Sequence, residues 1–146
     1  MITSLIKDQI MVTIKNIEEN DFEELVALFL EFATFQNQPE KMKNSVEKMI
    51  SEKDFLHGFT ARDEDDRIIG YATFFFAYYT WVGKSLYMDD LYIKDDVFDQ
   101  AILVAYSAFL RGSARNQGAG AICGQAVGGI ANLKREAIRE PARSCL

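Results

Sequence analysis

The first hundred residues alternate between polar and apolar positions in a pattern that predicts a strand followed by two helices. Residues 12–17 show the period of two that is typical of a half-buried strand. Apolar residues at helical spacing predict a first helix that begins after an N-cap at Asn20 and ends near Phe35. A shorter second helix is predicted at about residues 45–51. Residues 1–10 are expected to form an extension that precedes this pattern.

Three further strands are predicted to form a meander after the helices. They cover about residues 55–61, 67–80 and 85–93. The acidic run at residues 63–66 is expected to be a solvated hairpin turn, and residues 81–84 form the next turn. Helices that pack on a largely antiparallel sheet define an α+β fold, which is therefore the predicted fold class.

Two neighbouring carboxylates, Asp89 and Asp90, interrupt the last of these strands. The strand is otherwise apolar and aromatic, and a carboxylate is costly to bury unless it has a partner. A functional role is one reason for their presence. The other is simple solvation, because successive side chains of a regular strand point to opposite faces and one of the two could face water.

The overall composition limits the classes of function. A chain of 146 residues with a formal net charge of −6 is long enough for one domain, and its charge argues against nucleic-acid binding and fits a cationic partner better. No run approaches the roughly eighteen apolar residues of a membrane helix, and the N-terminus is a poor signal peptide. Cys123 and Cys145 have neither metal-ligand spacing nor a disulfide framework. We therefore expect a cytoplasmic protein without a metal site.

The composition changes abruptly after about residue 100. Residues 1–100 contain 10 Lys and Arg against 20 Asp and Glu, whereas residues 101–146 contain 6 against 2 and hold 6 of the 9 glycines. A segment of that size is too small for a separate core. We therefore predict that residues 11–100 form most of one domain. Residues 101–146 are interpreted as an atypical basic tail, rich in Gly and Ala, that is poorly ordered or translated out of frame.

Three segments resemble a known enzyme family. They read LFLEFA at residues 28–33, FLHGFTA at residues 55–61 and IIGYATFFFAYYTWVGKSLYMDDLYI at residues 68–93. Together they are similar to the GNAT family of N-acetyltransferases, specifically its spermidine/spermine (diamine) branch, over about residues 12–100. The resemblance implies a mixed sheet with helices on both faces, although the C-terminal part is atypical or incomplete. It also implies a bulge in the family's fourth strand, which splays from the fifth.

The resemblance implies acetyl-CoA as the cosubstrate. In the family the pantetheine arm lies in the gap between the two splayed strands. Carried over to this chain, the backbone groups of Leu91, Tyr92 and Ile93 would contact the pantetheine and the thioester carbonyl. A backbone N–H at this point would stabilise the oxyanion that forms when an amine attacks.

The resemblance also assigns an acceptor site for a small cationic amine. Asp89 would be the catalytic carboxylate, removing a proton from the amine through a water, and Asp90 would help to bind the acceptor. Tyr78, Tyr79 and Trp81 would line the channel, since aromatic faces suit ammonium groups. A role as ordinary sheet residues is favoured over the channel for these aromatics, because a strand rich in Phe and Tyr is typical of a sheet. His57 is interpreted as a strand residue, because nothing near it completes a triad.

The family's phosphate-binding loop is missing where the register requires it. Residues 98–103 lack the pattern Arg/Gln-x-x-Gly-x-Gly/Ala, in which backbone N–H groups approach the pyrophosphate. Residues 115–120 fit the pattern, but they follow no predicted strand and are interpreted as a coincidence. No tyrosine follows Tyr106 to protonate the leaving thiolate. The predicted function is therefore acetyl transfer to a polyamine or related small amine, impaired by the tail. The alternative is an inactive acetyltransferase-like binding or dimerisation module, and a homodimer is expected.

Overall fold

The computed structural model describes residues 2–6, 10–94 and 109–124. Two α-helices and six strands have defined bounds, and residues 109–116 are also helical. In chain order the elements are β1 (Ile2–Ile6), β2 (Ile10–Asn16), α1 (Phe22–Phe35), α2 (Val46–Ser51), β3 (His57–Arg62), β4 (Ile68–Tyr79), β5 (Gly83–Ile93) and β6 (Ala121–Gly124).

The described strands form one mixed sheet in the order β1-β2-β3-β4-β5-β6. Each of the first five strands pairs with its neighbour in antiparallel orientation. β6 is parallel to β5, with a register that runs from Ser85↔Ala121 to Met88↔Gly124. A parallel neighbour after a run of antiparallel strands requires a crossover, and the helical residues 109–116 lie within it.

Helices cover both faces of the sheet. On one face α1 and α2 pack through Phe22, Leu25 and Met49 against Tyr71 and Tyr92. On the other face the helical residues 109–116 contribute Leu110 and Ala114 to a core with Val12, Ile14, Phe59, Ile69 and Leu86. The predicted α+β fold, with a mixed sheet between helices, is therefore confirmed.

The start of α1 differs from the predicted N-cap at Asn20. A short 3-10 turn over Glu19–Asp21 precedes the helix, which begins at Phe22. One oxygen of Asp21 accepts a hydrogen bond from the backbone N–H of Glu18 at 2.9 Å, and its other oxygen forms a buried ion pair with Arg62 of β3. Because a buried ion pair requires a fixed geometry, Asp21 fixes the start of α1 against the sheet.

The prediction that residues 1–10 form an extension is wrong. β1 pairs with β2 in a register that runs from Ile2↔Ile14 to Ile6↔Ile10, so these residues form the outer strand of a hairpin. The period of two was weak in such a short segment, and pairing with β2 supplies the backbone hydrogen bonds that stabilise it.

Part of the segment that was interpreted as an atypical tail forms regular structure. Residues 109–116 are helical and residues 121–124 form β6. Two residues of this helix, Leu110 and Ala114, are buried one turn apart, and this spacing is enough for a short helix to pack on the sheet. Residues 101–108 and 125–146 lie outside the described residues. The division of the chain near residue 100 stays a prediction.

No helix in the described ranges combines the length and apolar character that a membrane span requires.

Candidate active site

A β-bulge in β5 places the two adjacent carboxylates. The register of β4 and β5 runs through Ala72↔Leu91 and Phe74↔Met88, so two residues, Asp89 and Asp90, oppose the single residue Thr73. The backbone N–H of Asp90 donates a hydrogen bond to the Thr73 Oγ1 atom at 3.3 Å. The bulge implied by the family resemblance is therefore present at the acidic pair.

The bulge changes the direction of the acidic side chains. A regular strand would send them to opposite faces, but both Asp89 and Asp90 line one cleft on the α1 side of the sheet. The cleft has a volume of about 460 Å³ and lies between α1, the loop that follows it, and strands β3 to β5. Its apolar lining includes Phe29, Phe32, Leu56, Tyr71, Phe74 and Phe75. The expectation that the two side chains point to opposite faces was wrong, because the extra residue of the bulge breaks the period. The solvation expected of one carboxylate holds for Asp89, which is exposed.

The two carboxyls of this pair have different surroundings. Asp89 is exposed and Asp90 is partly buried. Burial, together with the neighbouring charge of Asp89, raises the pKa of Asp90 to about 6. A carboxyl with a pKa close to neutrality can both accept and release a proton under physiological conditions. Asp90 is therefore better suited to proton transfer than its sequence position alone indicated.

The three residues expected to contact the cosubstrate lie at the end of β5. Leu91, Tyr92 and Ile93 pair with β4 on one side. On the other side, the described pairing with β6 ends at Met88↔Gly124, before the bulge. Gly124 is also the last described residue of β6, so the splay that a pantetheine arm would need stays a prediction.

Tyr92 also connects this strand to the helix above it. Its hydroxyl donates a hydrogen bond to Glu31 Oε1 of α1 at 2.5 Å, and its ring lies 5.2 Å from that of Phe32. Because Phe32 lines the cleft, this contact sets the distance between the helix wall and the strand that carries Asp89 and Asp90.

The predicted aromatic residues of the acceptor channel lie elsewhere on the sheet. Tyr79 pairs with Gly83 at the tip of the β4–β5 hairpin, and Trp81 in the turn is 97% exposed. The tip lies five residues along β4 from Phe74, a distance of about 16 Å at the usual rise of a strand. Neither residue lines the cleft that contains Asp89 and Asp90. Their assignment to the acceptor site stays a prediction.

The glycine hexad at residues 115–120 forms the end of a helix. Gly118 has a φ of +67°, and its N–H bonds to the Arg115 carbonyl while the Ala119 N–H bonds to the Ala114 carbonyl. This pair of hydrogen bonds is a Schellman cap. The motif joins a helix to β6, in the reverse order to a strand–loop–helix phosphate site, so its interpretation as a coincidence is supported. Residues 98–103 lie outside the described residues.

The sequence did not identify several residues that line the cleft. His57 at the start of β3 lies there and stacks on Phe74, with ring centroids 6.0 Å apart. Lys41 and Lys43 enter it from the loop after α1. A loop of mixed polar residues has no period, so these positions carried no signal. A polar residue within an aromatic strand, such as Thr73, was the signal that could have located the bulge.

The described architecture is shared with solved structures of acetyltransferases. A solved structure of a probable acetyltransferase matches 88% of this chain and 89% of its own, with a TM-score of 0.73 and 18% identity. An aminoglycoside acetyltransferase from an uncultured soil sample, in complex with sisomicin, matches 84% of this chain and 82% of its own, with a TM-score of 0.68 and 17% identity. At these identities the likeness establishes the fold.

Sequence similarity points to particular relatives within that fold. A thialysine N-epsilon-acetyltransferase of Caenorhabditis elegans is 36% identical over 74 residues, which cover 49% of this chain and 46% of that protein. The Bos taurus protein of the same name is 26% identical over 102 residues, which cover 62% of this chain and 60% of that protein. The chain thus spans about half to three fifths of the curated relatives it matches. No protein-family model matches the chain.

Proposed function

We propose that this chain is an N-acetyltransferase of the GNAT family that transfers acetyl from acetyl-CoA to the primary amine of a small acceptor. The observation that carries the proposal is the bulge, which brings Asp89 and Asp90 into one cleft beside the end of β5. The fold and the names of the relatives support the reaction type. The candidate acceptors are a polyamine or a related amine, such as the thialysine from which those relatives take their name.

Acetyl-CoA would supply the acetyl group as a thioester. The backbone of Leu91, Tyr92 and Ile93 would hold it at the end of β5, with an N–H donor near the carbonyl oxygen. No step of this proposal depends on residues 98–103.

The acceptor's reactive end would lie against the acidic pair. Exposed Asp89 attracts the ammonium group, and partly buried Asp90 accepts the proton that must leave before the nitrogen can attack. The amine nitrogen then forms a bond to the thioester carbon, and the carbon–sulfur bond breaks. The sulfur leaves as the thiolate and takes up the second proton, which the nitrogen loses as it becomes an amide. This division of roles moves the catalytic assignment from Asp89 to Asp90, while Asp89 keeps its assignment to acceptor binding.

Charge-neutral variants test these roles. We expect Asp90→Asn to lower kcat/KM by about 100-fold or more, the usual contribution of a general base. In the wild type, kcat/KM should rise with pH through about 6 as Asp90 ionises, and the variant should lose this dependence. Asp89→Asn should chiefly raise the KM for the amine. Asp65→Asn, in the exposed turn between β3 and β4, is the matched control.

Two results would contradict the proposal. Full activity in both Asp89→Asn and Asp90→Asn would exclude the acidic pair from the reaction. No acetyl transfer by the wild type, together with no thermal shift on addition of acetyl-CoA, would instead support the inactive binding or dimerisation module.

A homodimer and a cytoplasmic location remain part of the proposal. The exposed hairpin tip, where Tyr78 is 79% and Trp81 is 97% exposed, supports association with a second copy. Sedimentation of the wild type and of Trp81→Ala would test it, since a dimer through this tip should weaken in the variant.

A further inference from the structure

The two cores, one on each face of the sheet, require an extra residue somewhere in β5. In a regular strand, residues separated by an even number of positions point to the same face. Leu86 and Tyr92 are separated by such a number, yet Leu86 belongs to the core that includes Leu110, and Tyr92 belongs to the core beneath α1. Both residues are buried. A bulge between them is therefore needed for both cores to form, but the cores do not fix its exact position.

Thr73 of β4 provides the contact that locates the bulge at the acidic pair. It is the single residue opposite Asp89 and Asp90, and its Oγ1 atom accepts a hydrogen bond from the backbone N–H of Asp90 at 3.3 Å. Because the extra residue of a bulge disrupts the regular ladder, a side-chain acceptor at this point stabilises the bulge there. Every other residue of β4 is apolar, aromatic or glycine, so the neighbouring positions of this strand offer no short side-chain acceptor.

The position of the bulge decides whether the two carboxyls share the cleft. With the bulge at residues 89–90, both side chains line it. A bulge that began one residue earlier or later would leave Asp89 and Asp90 in regular alternation, so one of them would point to the opposite face. The proposed base and the proposed acceptor-binding carboxylate would then lie on different sides of the sheet.

We infer that Thr73 is a positioning residue of this site, because its hydroxyl holds the bulge at residues 89–90 and thereby keeps Asp89 and Asp90 in one cleft. The effect of Thr73 on the rate rests on the proposed acetyl transfer. Its effect on the directions of the two carboxyls does not. Thr73 acts through the acidic pair and needs no contact with the reacting atoms.

Replacement of the hydroxyl by a group of the same shape provides the test. Thr73→Val removes the acceptor, and we expect kcat/KM for the amine to fall by about tenfold or more, because one carboxyl of the pair no longer faces the acceptor. Thr73→Ser keeps a hydroxyl and should retain kcat/KM to within about threefold of the wild type. Thr13→Val, the same change at a half-buried position of β2 outside the cleft, is the control and should leave kcat/KM unchanged.

A double-mutant cycle separates positioning from a general loss of stability. The charge of Asp89 contributes to the raised pKa of Asp90, so Asp89→Asn should lower the pH midpoint of kcat/KM in the wild type. In Thr73→Val the two carboxyls no longer share a face, so the same substitution should leave the midpoint unchanged. A variant that is only less stable would keep the full shift. The other titratable side chains that line the cleft are the same in all four proteins, namely Lys41, Lys43, His57 and Tyr71.

Three results would overturn the inference while leaving acetyl transfer intact. They are wild-type kcat/KM in Thr73→Val, an equal loss in Thr73→Val and Thr73→Ser, and a full Asp89→Asn shift in the Thr73→Val background. If Thr73→Val does not fold, Thr73→Ala removes the same acceptor without added bulk and replaces it in the cycle.

A measurement that needs no turnover keeps this inference separate from the proposed function. If the wild type acetylates no amine, the proposed function fails. NMR titration of the Asp90 carboxyl carbon in the four proteins of the cycle then decides the inference alone. It stands only if Asp89→Asn lowers the pKa of Asp90 in the wild type and this effect is lost in Thr73→Val.

Discussion

The surroundings of Asp90 favour its protonated form, and this preference contributes more stability at low pH than at neutral pH. The pKa of this carboxyl rises from its ordinary value of 3.8 to about 6, first because of burial and second because of Asp89. The folded state thus binds the proton more tightly than the unfolded chain does. The stability that the group contributes is complete below about pH 4 and is lost as the pH rises through 6.

We therefore predict that Asp90→Asn stabilises the protein at pH 7.5 and not at pH 4. The gain should be about 1 kcal/mol, after allowance for the solvent that screens this half-exposed group. Urea unfolding of wild type and variant at the two pH values measures it. An equal difference at both values would show that Asp90 does not titrate in the expected range.

For single residues, the sequence identified the acidic pair but not the direction of its side chains. Two carboxylates in an aromatic strand were conspicuous, since such residues rarely enter apolar strands without a reason. Whether they share a face depends on how β4 and β5 align, and that alignment is a cross-strand property in which Thr73 takes part. The spacing of residues along a single strand does not reveal this alignment.

Among the elements, the long strands were predictable and the short helix after residue 108 was not. β4 and β5 are long apolar runs whose bounds follow from their flanking turns. Among the helical residues 109–116 only Leu110 and Ala114 are buried, and Gly112 lies between them. Such a helix is marginal in isolation and is stabilised by packing against the sheet, which the local sequence does not reveal.

Two glycines of this segment should respond in opposite directions to alanine. Gly118 has a φ of +67° at the helix C-cap, so Gly118→Ala should destabilise the protein by about 1 kcal/mol. Gly112 lies inside the helix, and no atom lies within 4 Å of an added Cβ, so Gly112→Ala should stabilise it by about 0.5–1 kcal/mol. Denaturant midpoints of the two variants measure both effects. The same sign in both would show that the helix or its cap does not form as described.

For the whole molecule, the open question is whether residues 109–124 belong to the same folding unit as the rest. The structure joins them through the core beneath the sheet, where the rings of Phe59 and Phe109 lie 4.9 Å apart and Leu110 is buried. It also joins them through the parallel pairing of β5 and β6. The composition of residues 101–146 indicated a separate, atypical tail. These contacts instead favour a single cooperative domain.

Truncation of Leu110 distinguishes the two views. We predict that Leu110→Ala lowers the free energy of unfolding of the entire protein by about 2–4 kcal/mol, because it leaves a cavity in a core shared with β2, β3 and β5. Arg111→Ala, at the exposed neighbouring position, should change it by no more than about 0.5 kcal/mol. Circular dichroism and hydrogen exchange of β4 and β5 should report one common transition. If the tail is an appendage, Leu110→Ala will leave the protection of those strands unchanged, since their stability would not depend on a helix that is not packed against them.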